Sequence, residues 1–303
     1  MTSFLLRYFY KKVKAGNSPH FLWYCIYKEL LVLSTLLNSN KGISSNKLAE
    51  YNVVISLTTY GRRLDDVYLT IESLMLGTIK PNRIVLWLED GLKSHALSSQ
   101  LKNQIKRGLN IRYTKDIRSY KKLIPSLHAF PDSIIVTVDD DVFYGVDFLK
   151  NLLDSYKNAP NFIYANRVHE IILDDQKRPK PYLQWGWEAQ EVKASPRYML
   201  TGVGGVLYPP NCFSEEVFNE SIFLDICRYG DDIWFYSMGL INGYMVHKAF
   251  TEDLAGNDYI DNISPKEKGL NVLNTDGSVS RNDSQIKSVF DKYGVYTLLA
   301  NKE

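Results

Sequence analysis

Val53-Val54-Ile55-Ser56-Leu57 and Ile134-Ile135-Val136-Thr137-Val138 are short, almost unbroken apolar runs rich in β-branched residues. That pattern belongs to strands buried on both faces of a sheet. Between them the spacing changes to a helical one: Val67, Ile71, Leu74 and Met75 recur on one face behind a capping Asp65 or Asp66, and Gly77 is placed to end the helix. Pro81 precedes a second strand at 83–88, which completes a βαβ unit whose right-handed crossover makes the two strands parallel. The pattern then predicts a helix over 97–107, a strand over 111–114, a helix over 121–130 broken near Pro125, and the Ile134 strand as the fourth. Beyond it come a helix at 147–156, a strand at 162–165 and a long irregular stretch at 173–198. A glycine-rich turn at 201–206, a helix at 231–240, a strand at 244–246 and a helix near 283–293 complete the pattern. Strands alternating with helices define an α/β fold with a mostly parallel sheet flanked by helices. No internal repeat interrupts it, so the simplest division is a helical N-terminal appendage (1–50), a catalytic domain (51–252) and a C-terminal tail (253–303).

The Ile134 strand ends in three carboxylates, Asp139, Asp140 and Asp141. In open α/β sheets ligands bind outside the carboxyl ends of the strands, so these acids face a site. Three adjacent carboxylates repel one another, and a hard divalent cation such as Mg or Mn relieves that cost most directly. The bland alternative is a solvated acidic turn capping the next helix.

Composition narrows the partners. The 303 residues are 45% hydrophobic and 23% charged, ordinary for a globular chain. A net charge of +2, from 36 basic and 34 acidic residues, is too balanced to make nucleic acid the main partner. Cys25, Cys212 and Cys227 have neither disulfide nor zinc spacing, which favours a cytoplasmic setting. The first residues, Phe4 to Lys14, mix aromatics with Arg7, Lys11, Lys12 and Lys14, as an interfacial segment does. The apolar run 21–37 is interrupted by Lys28 and Glu29 and makes a poor spanning helix. Peripheral contact with the inner face of a membrane is one expectation; packing of this segment on its own domain or on a partner chain is the other.

Five features in order resemble the GT-A class of nucleotide-sugar-dependent glycosyltransferases, in particular bacterial family 2 enzymes. They are the opening strand with Thr58-Thr59-Tyr60-Gly61-Arg62, the second strand ending Glu89-Asp90-Gly91, the Asp139-x-Asp141 motif, the glycines at 202–205, and the pair Asp231-Asp232. The resemblance covers about residues 52–248. It implies a Rossmann-like GT-A fold, an Mn- or Mg-dependent hexosyltransferase working by inversion, a nucleotide-sugar donor with UDP favoured, and a glycan or lipid-linked glycan acceptor in bacterial surface polysaccharide synthesis.

Site roles follow by the same resemblance. Asp141 is expected to bind metal and Asp139 metal or ribose, while Asp140 stands with the donor-binding residues or points away as a solvent-facing cap. His247 is a further candidate metal ligand, or a hydrogen-bonded histidine at a strand end. Tyr60 is placed to stack on the base, Arg62 to reach phosphate, and Thr58 to line the same turn. Asp90 is a base-binding acid or a turn residue before Gly91. Lys122, near a helix N-terminus, would oppose the dipole unless an anion sat beside it, which suggests diphosphate or else a solvated surface lysine. Inversion needs a carboxylate base for the acceptor hydroxyl; Asp232 is favoured, with Asp231 orienting the acceptor, although a one-residue shift exchanges them. Trp185, Trp187, Gly204 and Gly205 are assigned to the acceptor side, the tryptophans being alternatively hydrophobic plugs. The tail at 253–283, rich in Asn, Asp, Gly and Ser, reads as a mobile segment able to close over the donor.

Two departures from the family pattern keep charge but change residue: Glu89 stands where Asp is usual, and Asp231 where Glu is more frequent. Two other readings compete. A phosphatase of the haloacid dehalogenase type also uses D-x-D, but on an early strand, whereas three strands precede it here. A non-catalytic nucleotide-sugar-binding protein would not need the full set of acids.

Overall fold

The computed structural model describes residues 2–16, 18–263 and 280–299, without the side chains of residues 2 and 3. The two apolar runs are the strands β1 (Asn52–Thr58) and β4 (Ser133–Thr137), with β2 (Arg83–Glu89) and β3 (Leu109–Thr114) beside them. β1 pairs in parallel with both β2 and β4, and β2 with β3. The sheet continues through β10 (Val206–Tyr208), β6 (Ile163–Ala165), β11 (Val246–Lys248) and β8 (Ala194–Ser195), in the order β3-β2-β1-β4-β10-β6-β11-β8. β10 runs antiparallel to both its neighbours, as does β8 to β11, so the sheet is mixed and mostly parallel, as the pattern predicts.

Alternate residues enter opposite layers, as strand geometry requires. Val54, Val85, Trp87 and Ile135 share a layer with Ile117, Tyr120, Leu123 and Ile124, a layer that continues to residues of α8 (Asp231–Ile241) and of the C-terminal helix Arg281–Tyr293. Val53, Ile55, Ile84, Leu86, Ile134 and Val136 pack against α3 (Val67–Met75) and α6 (Phe148–Asn158). This is why both runs are apolar at nearly every position.

Several predicted elements shift. The helix expected at 121–130 becomes a 3-10 turn, Arg118–Lys122, and a short helix, α5 (Ile124–Ala129), because Pro125 can begin a helix but not continue one. The strand expected at 244–246 is β11, two residues later. No helix follows the acidic triplet: β5 (Val142–Tyr144) does, pairing with β12 (Tyr259–Asp261) from the tail.

The described helices near either end of the chain are built in. α1 (Thr2–Lys14) and α2 (His20–Leu37) bury Leu6, Val13, Tyr24, Tyr27 and Leu31 against Leu69, Phe143 and Ile260. Glu72 on α3 takes Ser34 Oγ on one oxygen at 2.6 Å and Arg107 Nη1 on the other at 2.7 Å. The tail expected to be mobile is anchored in its described parts by β12 and by the helix Arg281–Tyr293. Residues 264–279, the centre of the expected lid, lie outside the described residues.

Candidate active site

The β1–β4 register pairs Ser56 with Thr137, and the Val138 N–H reaches Ser56 O at 3.1 Å. The turn after β1 and the acids after β4 therefore leave the sheet side by side. They open into a cleft of about 930 Å³ that also takes in Lys122, Gly202, Asp231, Asp232 and Trp187. A larger groove, about 1120 Å³ between α1 and α6, mixes scattered acids and bases and contains none of these residues.

Lys122 is the centre of the site. Its ammonium is 2.9 Å from Asp139 Oδ1, 3.0 Å from Asp231 Oδ2 and 3.9 Å from Asp232 Oδ1. The 3-10 turn carries it in under β1, where Ser56 Oγ donates to its carbonyl. Burial works against its charge, but Asp139, Asp231 and Asp232 overcome that and hold it well above the usual lysine value. The helix-dipole argument for an anion beside Lys122 thus finds its anions inside the protein.

Asp231 and Asp232 open α8. Asp232 Oδ2 accepts the Gly202 N–H at 2.8 Å, and its Oδ1 is buried with no hydrogen-bond partner. Burial pushes its carboxyl up to about 7; Lys122 and the Gly202 N–H pull down, while Asp231 and Asp139 push up. Gly202 is the glycine the cleft requires. A Cβ there would lie 2.7 Å from Lys122 Nζ and 3.0 Å from Asp232 Oδ1.

Arg63 holds the other end of the triplet, with Nη1 at 2.8 Å from Asp140 Oδ1 and 3.0 Å from Asp141 Oδ2. Its guanidinium also lies over the Tyr60 ring, 5.2 Å from the centroid. Burial opposes the charge, and Asp140 and Asp141 overcome that opposition. Asp140 is therefore no solvent-facing helix cap: it is buried, and its Oδ2 has no hydrogen-bond partner. Tyr144 joins two loops, its hydroxyl accepting the Asp139 N–H at 2.9 Å and donating to Val203 O at 3.1 Å.

Of the residues singled out from sequence, Thr58, Tyr60, Lys122, Asp139, Asp140, Asp141, Asp231, Asp232 and Trp187 line this cleft. The others do not. Arg62 is exposed, and its neighbour Arg63 turns inward instead. Asp90 opens a 3-10 turn and pairs with Lys93 at 2.7 Å, while Glu89 faces the cleft. His247 lies within β11, not after it; Nδ1 is 2.7 Å from Lys248 O, and the ring packs on Phe162 and Tyr164. Trp185 is a buried plug whose Nε1 donates to Lys180 O at 2.8 Å. Trp187 is 46% exposed, its ring 4.5 Å from His169. Gly204 and Gly205 meet Arg167 and Phe148, so they serve packing. Gly205 also has φ +85°, which a side chain would strain. Sequence reasoning misses Tyr144, prefers Arg62 to Arg63 in the turn after β1, and within the glycines at 202–205 favours 204 and 205 where the cleft needs Gly202.

The residues suit a divalent cation in kind and in charge. Eight acids line the cleft, Asp139 to Asp141, Asp231 and Asp232 among them, against the five bases Arg63, Arg118, Lys121, Lys122 and Arg167. Excess negative charge among oxygen donors fits Mg or Mn. Among the described residues, no three such side chains already converge as a metal-binding group.

No family model and no curated protein matches the chain. Solved structures do show likenesses. A mannosyltransferase from Pyrobaculum calidifontis, in complex with GDP-Man and Mn2+, is 12% identical with a TM-score of 0.42, over 96% of this chain and 84% of that one. An inositol-1-phosphate CTP transferase from T. maritima is 11% identical with a TM-score of 0.38, over 80% and 96%. HddC from Yersinia pseudotuberculosis is 14% identical with a TM-score of 0.33, over 54% and 78%. Likeness at this level defines neither family nor activity.

Proposed function

We propose that this chain is a GT-A type glycosyltransferase that moves a sugar from a nucleotide-sugar donor, with UDP favoured, to a glycan hydroxyl with inversion. The observation that carries the reading is the meeting, in one cleft, of the strand-end acids Asp139 to Asp141 with the helix-start pair Asp231 and Asp232, across Lys122. Asp139 and Asp141 would hold a divalent cation. When bound, such an ion neutralises charge developing on a leaving diphosphate. The chain's own groups supply the rest. Tyr60, backed by Arg63, offers a ring face to a base, and Trp187 offers one to an acceptor sugar.

Asp232 is the base. A general base works best with a pKa near the working pH and with access to the proton it removes. Asp232 meets both conditions, with its carboxyl at about 7 and its side chain 33% exposed. The Asp231 side chain is 10% exposed and lies against Lys122, which suits a positioning role. The Gly202 N–H fixes the orientation of the Asp232 carboxylate through Oδ2. A bacterial surface polysaccharide remains the proposed setting, on the family resemblance alone.

The test is thermal stability of the full chain with UDP, GDP, CMP and TDP, each with and without Mn. A ligand that binds only the folded state raises the melting temperature. The expected result is stabilisation by one nucleoside diphosphate that is enhanced by Mn, with the Mn-dependent part lost in Asp141→Ala. No response to any nucleotide from a folded sample overturns the reading.

A further inference from the structure

α2 buries Tyr24, Tyr27, Leu31, Ser34 and Thr35 along one face. At about 100° per residue, Leu22, Ile26, Leu33, Leu36 and Leu37 fall within an arc of roughly 100° on the opposite face. Leu22 and Leu36 are 50% exposed, Leu33 46% and Leu37 77%. Glu29 is the one charged residue in that arc. A helix resting on a domain normally turns polar residues to water, and one that is apolar all round is buried on all sides. α2 is apolar on both faces and, among the described residues, covered on one. Of the sixteen large hydrophobic residues that stand exposed among the described residues, seven precede residue 38, so the exposure is concentrated and not scattered.

Charge identifies what covers this face. Residues 1–37 hold Arg7, Lys11, Lys12, Lys14 and Lys28 against Glu29 alone, a net +4 in a chain whose total is +2. The remaining residues are therefore net negative. Three of the lysines close α1, where Lys11 shares the exposed side with Phe4 and Tyr8. A second copy of the chain would set two hairpins of like charge against each other. An exposed apolar face carried on a basic hairpin matches an anionic lipid surface on both counts. No helix among the described residues is long and apolar enough to cross a membrane, so the match is to lying on it.

We propose that the α1–α2 hairpin is a membrane-binding element that lays the outer face of α2 into the headgroup region of an anionic bilayer. The binding surface comprises Leu22, Leu33, Leu36 and Leu37, with Arg7 and Lys11 supplying charge. None of these residues lines the acidic cleft, so the proposal stands or falls apart from the proposed transfer activity.

Co-sedimentation of the full chain with vesicles tests it, using phosphatidylcholine alone and phosphatidylcholine with about 30% phosphatidylglycerol. The expected result is binding to the anionic vesicles that weakens with salt. The double variant Leu33→Glu/Leu37→Glu should bind at least roughly tenfold more weakly. Arg7→Glu/Lys11→Glu should lose about tenfold on anionic vesicles and most of the salt dependence. If the leucine pair fails to fold, Leu37→Glu alone, at the most exposed position, carries the same test. Wild-type protein that sediments with neither vesicle overturns the proposal. So does lipid-free self-association that the leucine variant abolishes, because a second copy would then be the occupant.

Discussion

Two clusters of buried charge lie on opposite sides of this sheet, and they differ in completeness. Around Glu72 both charged groups are satisfied: one carboxylate oxygen takes Ser34 Oγ, the other takes Arg107 Nη1 and Gln104 Nε2, and Arg107 Nε donates to Asn40 O at 2.9 Å, although Gln104 Oε1 is buried without a partner. α2, α3 and α4 (Ser99–Lys106) meet there, and both charges are sealed from water. Around Lys122 three carboxylates share one ammonium, and Asp232 Oδ1 lacks a hydrogen-bond partner. A satisfied network stabilises one arrangement of helices. An unsatisfied one beside a cleft keeps capacity for a ligand, at a cost to the empty protein. The same residue types therefore serve architecture in one place and chemistry in the other, and satisfaction of the carboxylate oxygens separates the two.

Mutations should separate them too. Asp232→Asn is expected to lower sugar transfer by roughly 10²–10⁴-fold, the usual contribution of a general base, while leaving the melting temperature near the wild-type value. Steady-state rates measured beside a melting curve check both halves. Arg107→Met should do the reverse. Stranding Glu72 as an unpaired buried charge costs about 3–5 kcal/mol of stability, with turnover per folded molecule unchanged, as read by denaturant unfolding and active-site titration. The smallest effect is in pH dependence. Asp232 must be ionised to accept a proton, so with its pKa near 7 the free-enzyme kcat/KM should fall about tenfold per unit as pH drops below that value. Lys122 favours the ionised carboxylate, so in Lys122→Met the acidic limb should move to higher pH. A limb that stays in place would show that the ammonium and Asp232 are not coupled.

Much of this was legible in the sequence because it is local. A strand buried on both faces must be apolar throughout, and the acids that end it must leave the sheet at the carboxyl edge, so β1, β4 and the triplet could be read directly. The acid pair at the start of α8 was readable for a similar reason. What escaped depended on distances in space or on one-residue phase. Arg62 and Arg63 are equivalent in composition, and only the 3-10 turn after β1 decides which enters the cleft. His247 lost its place to a two-residue shift of β11. Trp185 and Trp187 are separated by whether a ring fills the core or meets the cleft. That Lys122 meets Asp231 depends on two elements more than a hundred residues apart in the chain, joined through the sheet.

Tyr144 has a wider role than its two hydrogen bonds suggest. It sits on β5 next to Phe143, whose ring packs on Tyr24 and Tyr27 of α2, while Tyr24 Oη and Lys28 Nζ both reach Asn262 Oδ1 at 3.3 Å just past β12. The opening helices thus brace the far side of the ribbon whose near side suspends the Asp139 loop. A chain begun at residue 51 would not be a trimmed enzyme but one with its footing removed: Phe143 would face water, and the acid loop would hang from a strand pair held along one edge.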